Sequence, residues 1–153
     1  MKTLFTSIFS MLFILCSQAQ IQGNSPVKEP DYNKPKMFAD LPEVMELKIT
    51  DLELLIGLPM GGSINSVLAD GFPMKGVVVS RSGEATSDVK SVVIRLVNRP
   101  GSTFCISQVR TDGGQTKFIG RVISMNNSDA FEIARLDDKY VLRKKHLYDL
   151  VNE

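Results

Sequence analysis

The chain has 153 residues, with 18 Lys and Arg against 17 Asp and Glu, two Cys, one His and no Trp. A near-neutral charge excludes a general polyanion binder, nucleic-acid proteins included, because such proteins carry a strong basic excess. One His cannot make a His-Glu-x-x-His site, Cys105 and His146, the pair left once residues 1–19 are removed as a signal peptide, are too few for a Cys/His zinc site, and no cofactor motif is present.

Residues 1–19 have the three parts of a secretory signal peptide. Lys2 makes the start positive, Leu4 to Leu15 is an uncharged, mostly apolar run, and Ser17 and Ala19 give the small-x-small exit a signal peptidase requires. The apolar run is shorter than the roughly 20 residues that span a bilayer. Cleavage is therefore expected between Ala19 and Gln20, giving a secreted or periplasmic protein with no stable membrane insertion afterwards. Cys16 invites comparison with a lipoprotein acylation site, but the bulky Leu15 before it argues against lipid anchoring. Loss of the signal removes Lys2 alone among the charges, so the basic count falls to 17, equal to the 17 acidic residues. Cys105 is then a lone thiol, and the fold stands on packing without an internal disulfide.

Residues 20–42 carry Pro26, Pro30, Pro35 and Pro42 among polar residues. Prolines at this density block helix and ladder alike, so a flexible leader is expected, followed by a single β-rich domain over 43–153. Met45, Leu47 and Ile49, then Leu52, Leu54, Ile56 and Leu58, alternate with period two, which favours strands over the rival amphipathic helix. Ser63 to Ala69 reads as a short helix capped by Ser63 and closed near Gly71. Val77–Val79, Val92–Leu96, Phe104–Arg110, Lys117–Ser124, Phe131–Leu136 and Tyr140–Arg143 read as strands. Asp112-Gly113 predicts a tight hairpin with positive φ angles, and Asp137-Asp138 a second hairpin turn. Leu147, Leu150 and Val151 have the spacing of a short helix packing back on the sheet. The fold class is mainly β: an antiparallel β-sandwich or small barrel of about seven to eight strands, with one or two short helices.

Candidate sites are few. Cys105 lies mid-strand between Phe104 and Ile106, the setting of a buried structural cysteine; the alternative is a thiol nucleophile with His146 as its base. Arg143, Lys144, Lys145 and His146 form the densest basic run, a solvated face or a contact for an anion or partner. Asp137-Asp138 and Asp112 have too few alternating oxygens for calcium. The glycines at 57–62 lack the Lys-Ser/Thr pair of a phosphate loop. Asn126-Asn127-Ser128 matches a glycosylation sequon inside a turn. The absence of Trp disfavours a glycan-binding platform.

The reading that follows is an exported, non-catalytic binding domain, without cofactor, metal or nucleic acid. Its partner is an envelope or extracellular protein docking at an exposed strand edge, or a protease gripped by a loop at Ser80–Ser87 or Asn98–Ser102. Two alternatives stay open: a small thiol hydrolase using Cys105 and His146, and a barrel carrying an apolar ligand in its interior.

Overall fold

The computed structural model describes residues 33–69 and 71–151. The expected signal peptide, its Ala19/Gln20 cleavage point and most of the expected leader lie outside them.

Eight antiparallel strands close into a barrel in sequence order. They are β1 (Val44–Leu47), β2 (Ser63–Ala69), β3 (Phe72–Ser82), β4 (Val89–Leu96), β5 (Ser102–Arg110), β6 (Thr116–Ser124), β7 (Asp129–Leu136) and β8 (Lys139–His146). Helix α1 (Ile49–Gly57) follows β1, and α2 (Leu147–Val151) ends the described chain. Every strand pairs with its chain neighbours and β1 returns to β8, with Val44 opposite Arg143 and Leu47 opposite Tyr140. Of the two expected architectures, the barrel is the one formed. Among the described residues no helix is long and apolar enough to cross a membrane.

Period two holds best along β3 to β6. Phe72, Met74, Val78, Val92, Ile94, Leu96, Phe104, Ile106, Phe118 and Val122 point inward and are buried, while the residues between them face out. The two-residue turn at Asp137 and Asp138 is formed as expected, with φ of 45° and 66°, the left-handed pair that a tight hairpin requires. The other hairpin differs. Its loop runs from Thr111 to Gln115, closed by Thr111 N–H donating to Gln115 O at 2.9 Å, and the positive φ falls on Gly114 at 75° rather than on Asp112-Gly113.

Two elements depart from expectation. The stretch 44–58 is half strand and half helix: Val44–Leu47 pairs with β8, and Ile49–Gly57 is α1. In α1, Leu52, Leu55 and Ile56 are buried, an i, i+3, i+4 triad facing β4 and β5. Leu54, which the period-two reading placed with Leu52 and Ile56, is 70% exposed. Ser63–Ala69 is strand β2, not a helix. Gly71, at φ +83°, turns the chain so that Ala69 faces Phe72 and Ser63 faces Val77.

The folded domain begins before Glu43. Phe38 is fully buried and Leu41 nearly so. The Phe38 ring meets Phe131 at 5.1 Å and Phe72 at 6.4 Å between centroids. Residues 33–42 thus form a strap whose ring closes one end of the barrel. Its backbone is stitched down by side chains far away in sequence. Asp129 carboxylate oxygens accept from Met37 N–H at 2.7 Å and Phe38 N–H at 2.8 Å. Arg99 donates to Met37 O at 2.7 Å and pairs with Asp40 at 2.9 Å, and Asn127 Nδ2 donates to Pro35 O at 3.2 Å. The Arg99 guanidinium also holds the Asp40 carboxyl below its ordinary range, mainly by hydrogen bonding. That contribution to stability is present above the unfolded carboxylate range and is lost as pH falls through the folded value. It is small, because Asp40 is 64% exposed.

Helix α2 packs on the outside of the wall. Leu147 and Leu150 bury against Ala130, with Ile123 at the margin, as the spacing of Leu147 and Leu150 implies. Leu147 N–H donates to Ser128 O at 2.9 Å, and Arg121 reaches Leu150 O at 2.8 Å.

Candidate functional site

The barrel alternation separates the expected site residues. In β5, Phe104 and Ile106 point inward, so Cys105 points out. It is only partly buried and lines a shallow depression of about 360 Å³ with Ser107, Ile119, Arg121, Ile123 and Glu132 among others. His146 lies at the exposed end of β8, beside a different depression with Lys36, Glu43 and Asp129. The register runs from Cys105 to Arg121 to Glu132 to Arg143 across β5, β6, β7 and β8. Cys105 and His146 are therefore three strands apart and form no dyad. Burial pushes the Cys105 thiol upward, the opposite of what a nucleophile needs. Alkylation of the native protein should accordingly be slower than that of an unfolded control near pH 8, with its midpoint displaced to higher pH. A His146→Ala variant should leave the profile unchanged. A fast native rate that falls on removing His146 would restore the dyad.

The basic run is likewise divided. Arg143 faces out and pairs with Glu132 at 3.2 Å. Lys144 turns the other way, donates to Leu41 O at 2.6 Å, pairs with Glu43 at 3.2 Å and is 11% exposed. Lys145 is half-buried and His146 exposed. The four residues do not make one cationic face; Lys144 is part of the strap's anchorage. The loop Asn98–Ser102 is held firmly, with Asn98, Pro100 and Gly101 exposed. Asn98 Nδ2 donates to Pro73 O at 2.8 Å, and Arg99 turns in over Phe38. Ser80–Ser82 belong to β3. Among the described residues no group of three or more His, Cys, Asp or Glu side chains could hold a metal.

What the wall does assemble is a face that reasoning on single motifs misses. Strands β3 to β6 carry Lys75, Arg81, Lys90, Arg95, Arg110, Lys117 and Arg121, and no Asp or Glu. Glu84, Asp88 and Asp112 sit in the loops, and Glu132 of β7 stands opposite Arg121 at the edge of the face. Among the described residues, all five salt bridges engage other cations. Pleating interleaves the outward cations Lys75, Arg95, Lys117 and Arg121 with apolar side chains. Val77 is 37%, Val89 50% and Ile119 44% exposed, with Val93, Cys105 and Ile123 half-buried beside them.

This face ends at a seam. β6 and β7 pair only at Arg121 with Glu132 and Val122 with Phe131, whereas β5 and β6 pair along all nine residues. Gly120 marks the divergence. A Cβ there would lie 2.6 Å from Cys105 O and 2.9 Å from Ile133 Cδ1, so glycine lets β6 lie this close to β5. Below Gly120 the two strands flank a depression of about 500 Å³, lined by Thr116–Ile119 of β6 and Glu132–Arg135 of β7. The Phe118 N–H, which would point at β7 in a continuous ladder, donates instead to Tyr140 Oη at 3.1 Å.

The interior is apolar and lined by large side chains, among them Phe38, Phe72, Phe104, Phe131, Leu52, Leu55, Met74 and Leu142. No protein-family model matches the chain, and no curated protein or solved structure is significantly similar to it, so what the protein does has to be read from this face and its seam.

Proposed function

We propose that the chain is an exported, non-catalytic domain that binds a protein of the envelope or extracellular space through the outer face of β3 to β6. The observation that carries the reading is the sorting of charge. An almost neutral chain keeps seven cations and no carboxylate on four adjacent strands, and four of them, Lys75, Arg95, Lys117 and Arg121, stand on the outward side among exposed valine and isoleucine. Such a face steers an acidic partner by its field, and its apolar side chains supply area that becomes dry on contact. A simple polyanion would use the charges and leave Val77, Val89 and Ile119 without a role. The export half of the proposal rests on residues 1–19, and the mature protein recovered from its source should begin at Gln20.

A photo-crosslinking residue placed at Ile119 in the full-length gene, expressed in the source organism, should give a discrete protein adduct. The same residue at Leu54, exposed on α1 outside this face, should not. Arg95→Glu combined with Lys117→Glu should reduce the Ile119 adduct at least tenfold. Adducts of equal yield from both positions, or none from Ile119, would remove this face from consideration.

A further inference from the structure

The β6–β7 seam supplies something the flat face alone does not: main-chain groups without a strand partner. β5 and β6 are antiparallel, and in such a ladder successive residues point their N–H and C=O alternately to the two sides. The Phe118 N–H reaches away from β5 to Tyr140, so Thr116, Phe118 and Gly120 direct their backbone toward the seam, while Lys117 and Ile119 bond to β5. Below Gly120 the pairing with β7 has ended. Tyr140 satisfies one amide with a hydroxyl, and its ring packs edge-on against Phe118 at 5.5 Å. A hydroxyl is a weaker tie than a ladder carbonyl and is displaceable by one.

On the outward side of the same edge stand Lys117 and Ile119, with Arg121 next along the strand. Neither Lys117 nor Arg121 is in a salt bridge among the described residues. Residues directly opposite in neighbouring strands share a face and interact as pairs, and opposite charges there are favourable. A strand laid against Thr116–Gly120 would therefore gain from acidic residues at every second position, on the outward side with Lys117 and Arg121, and from apolar residues between them, turned toward Phe118 and Tyr140 of the depression. We infer that the seam is a strand-acceptor site: it takes an extended segment of the partner protein in which acidic and apolar residues alternate, adding it to β6 by main-chain hydrogen bonds. This rests on the proposed binding role and specifies how the partner is held. The second sparse junction, between β1 and β2 at Leu47 and Ala69 alone, is bordered by Glu46, Lys48 and Asp51, where carboxylates outnumber the one cation and disfavour an acidic segment.

The test uses the full exported protein and three fluorescein-labelled octapeptides. One alternates Glu and Val, one has the same composition in two blocks, and one is the alternating peptide with every second amide N-methylated. The alternating peptide should bind saturably, and at least tenfold more tightly than either of the others. Binding should weaken at least tenfold in Lys117→Glu, an outward-facing substitution. It should be unchanged in Val67→Lys, on the exposed part of β2. Equal binding of the blocked peptide would reduce the site to a polyanion surface and overturn the strand-acceptor assignment. So would equal binding of the N-methylated peptide, which lacks the edge hydrogen bonds. Failure of all three peptides to bind while the Ile119 adduct persists would also overturn it and leave the broader binding role standing; loss of both would end both.

Discussion

Replacing Phe38 with alanine should lower the stability of the domain by about 3–5 kcal/mol, the range for emptying a buried phenylalanine site. The ring is fully buried between Phe72 and Phe131, and Arg99 lies over it at 5.3 Å. Its removal takes away apolar contacts and also the lid over one end of the barrel. That leaves Phe72 and Phe131 facing a void which the rest of the wall, tied in a closed ladder, has little freedom to fill. Urea unfolding should show a lower midpoint with little change in slope. A midpoint shift below about 1 kcal/mol, the scale of an ordinary surface substitution, would mean that the strap is ornamental.

The second large effect is expected at Asp129. Its two oxygens each accept one strap amide, at 2.7 and 2.8 Å, in a place where the residue is 3% exposed. Asp129→Ala strands both N–H groups and should cost about 3 kcal/mol or more, since each orphaned buried donor costs about 1–3 kcal/mol. Asp129→Asn retains one acceptor but turns its NH₂ toward the other amide, so shape alone does not rescue it. Because Phe38 and Asp129 hold the same segment, their losses should not add. The double variant should fall short of the sum, the mark of coupled neighbours. Limited proteolysis should cut either single variant within 33–42 well before the barrel unfolds. Full additivity, with no new cleavage there, would mean that Asp129 stabilises something other than the strap.

The sequence made the wall legible where one face of each strand is wet. β3 to β6 alternate through most of their length, outside the bulge between Val78 and Ser80, because an outward residue meets water and an inward one meets the core, and the barrel is mostly these strands. The readings failed where period two and the helical period coincide over a short span. In α1, Leu52 and Ile56 satisfy both patterns, and it is Leu55, breaking the alternation, that belongs to the helix. β2 was missed because an edge-like strand with exposed Asn65, Ser66 and Val67 has no apolar stripe to betray it. Proline density concealed the strap. Pro35 and Pro42 exclude regular structure without excluding burial, and the fixing contacts come from Asp129 and Arg99, some 60 to 90 residues away. The charge sorting of the wall was present in the sequence, in the long interval from Lys90 to Lys117 whose only acidic residue is Asp112, but its meaning depends on knowing that those strands are neighbours. The seam was not legible at all. It arises from Gly120 and Tyr140 acting together across β7, and neither residue signals it alone.

Amide hydrogen exchange along β6 tests the open seam most directly. Ile119 and Arg121 bond to β5 and should exchange slowly, while the Gly120 amide between them should exchange faster by at least two orders of magnitude, with Phe118 intermediate through its Tyr140 bond. Addition of the alternating Glu-Val peptide should slow Gly120 selectively. A Gly120 amide already as protected as its two neighbours would mean that β6 and β7 are zipped together in solution, leaving no edge for a partner to occupy.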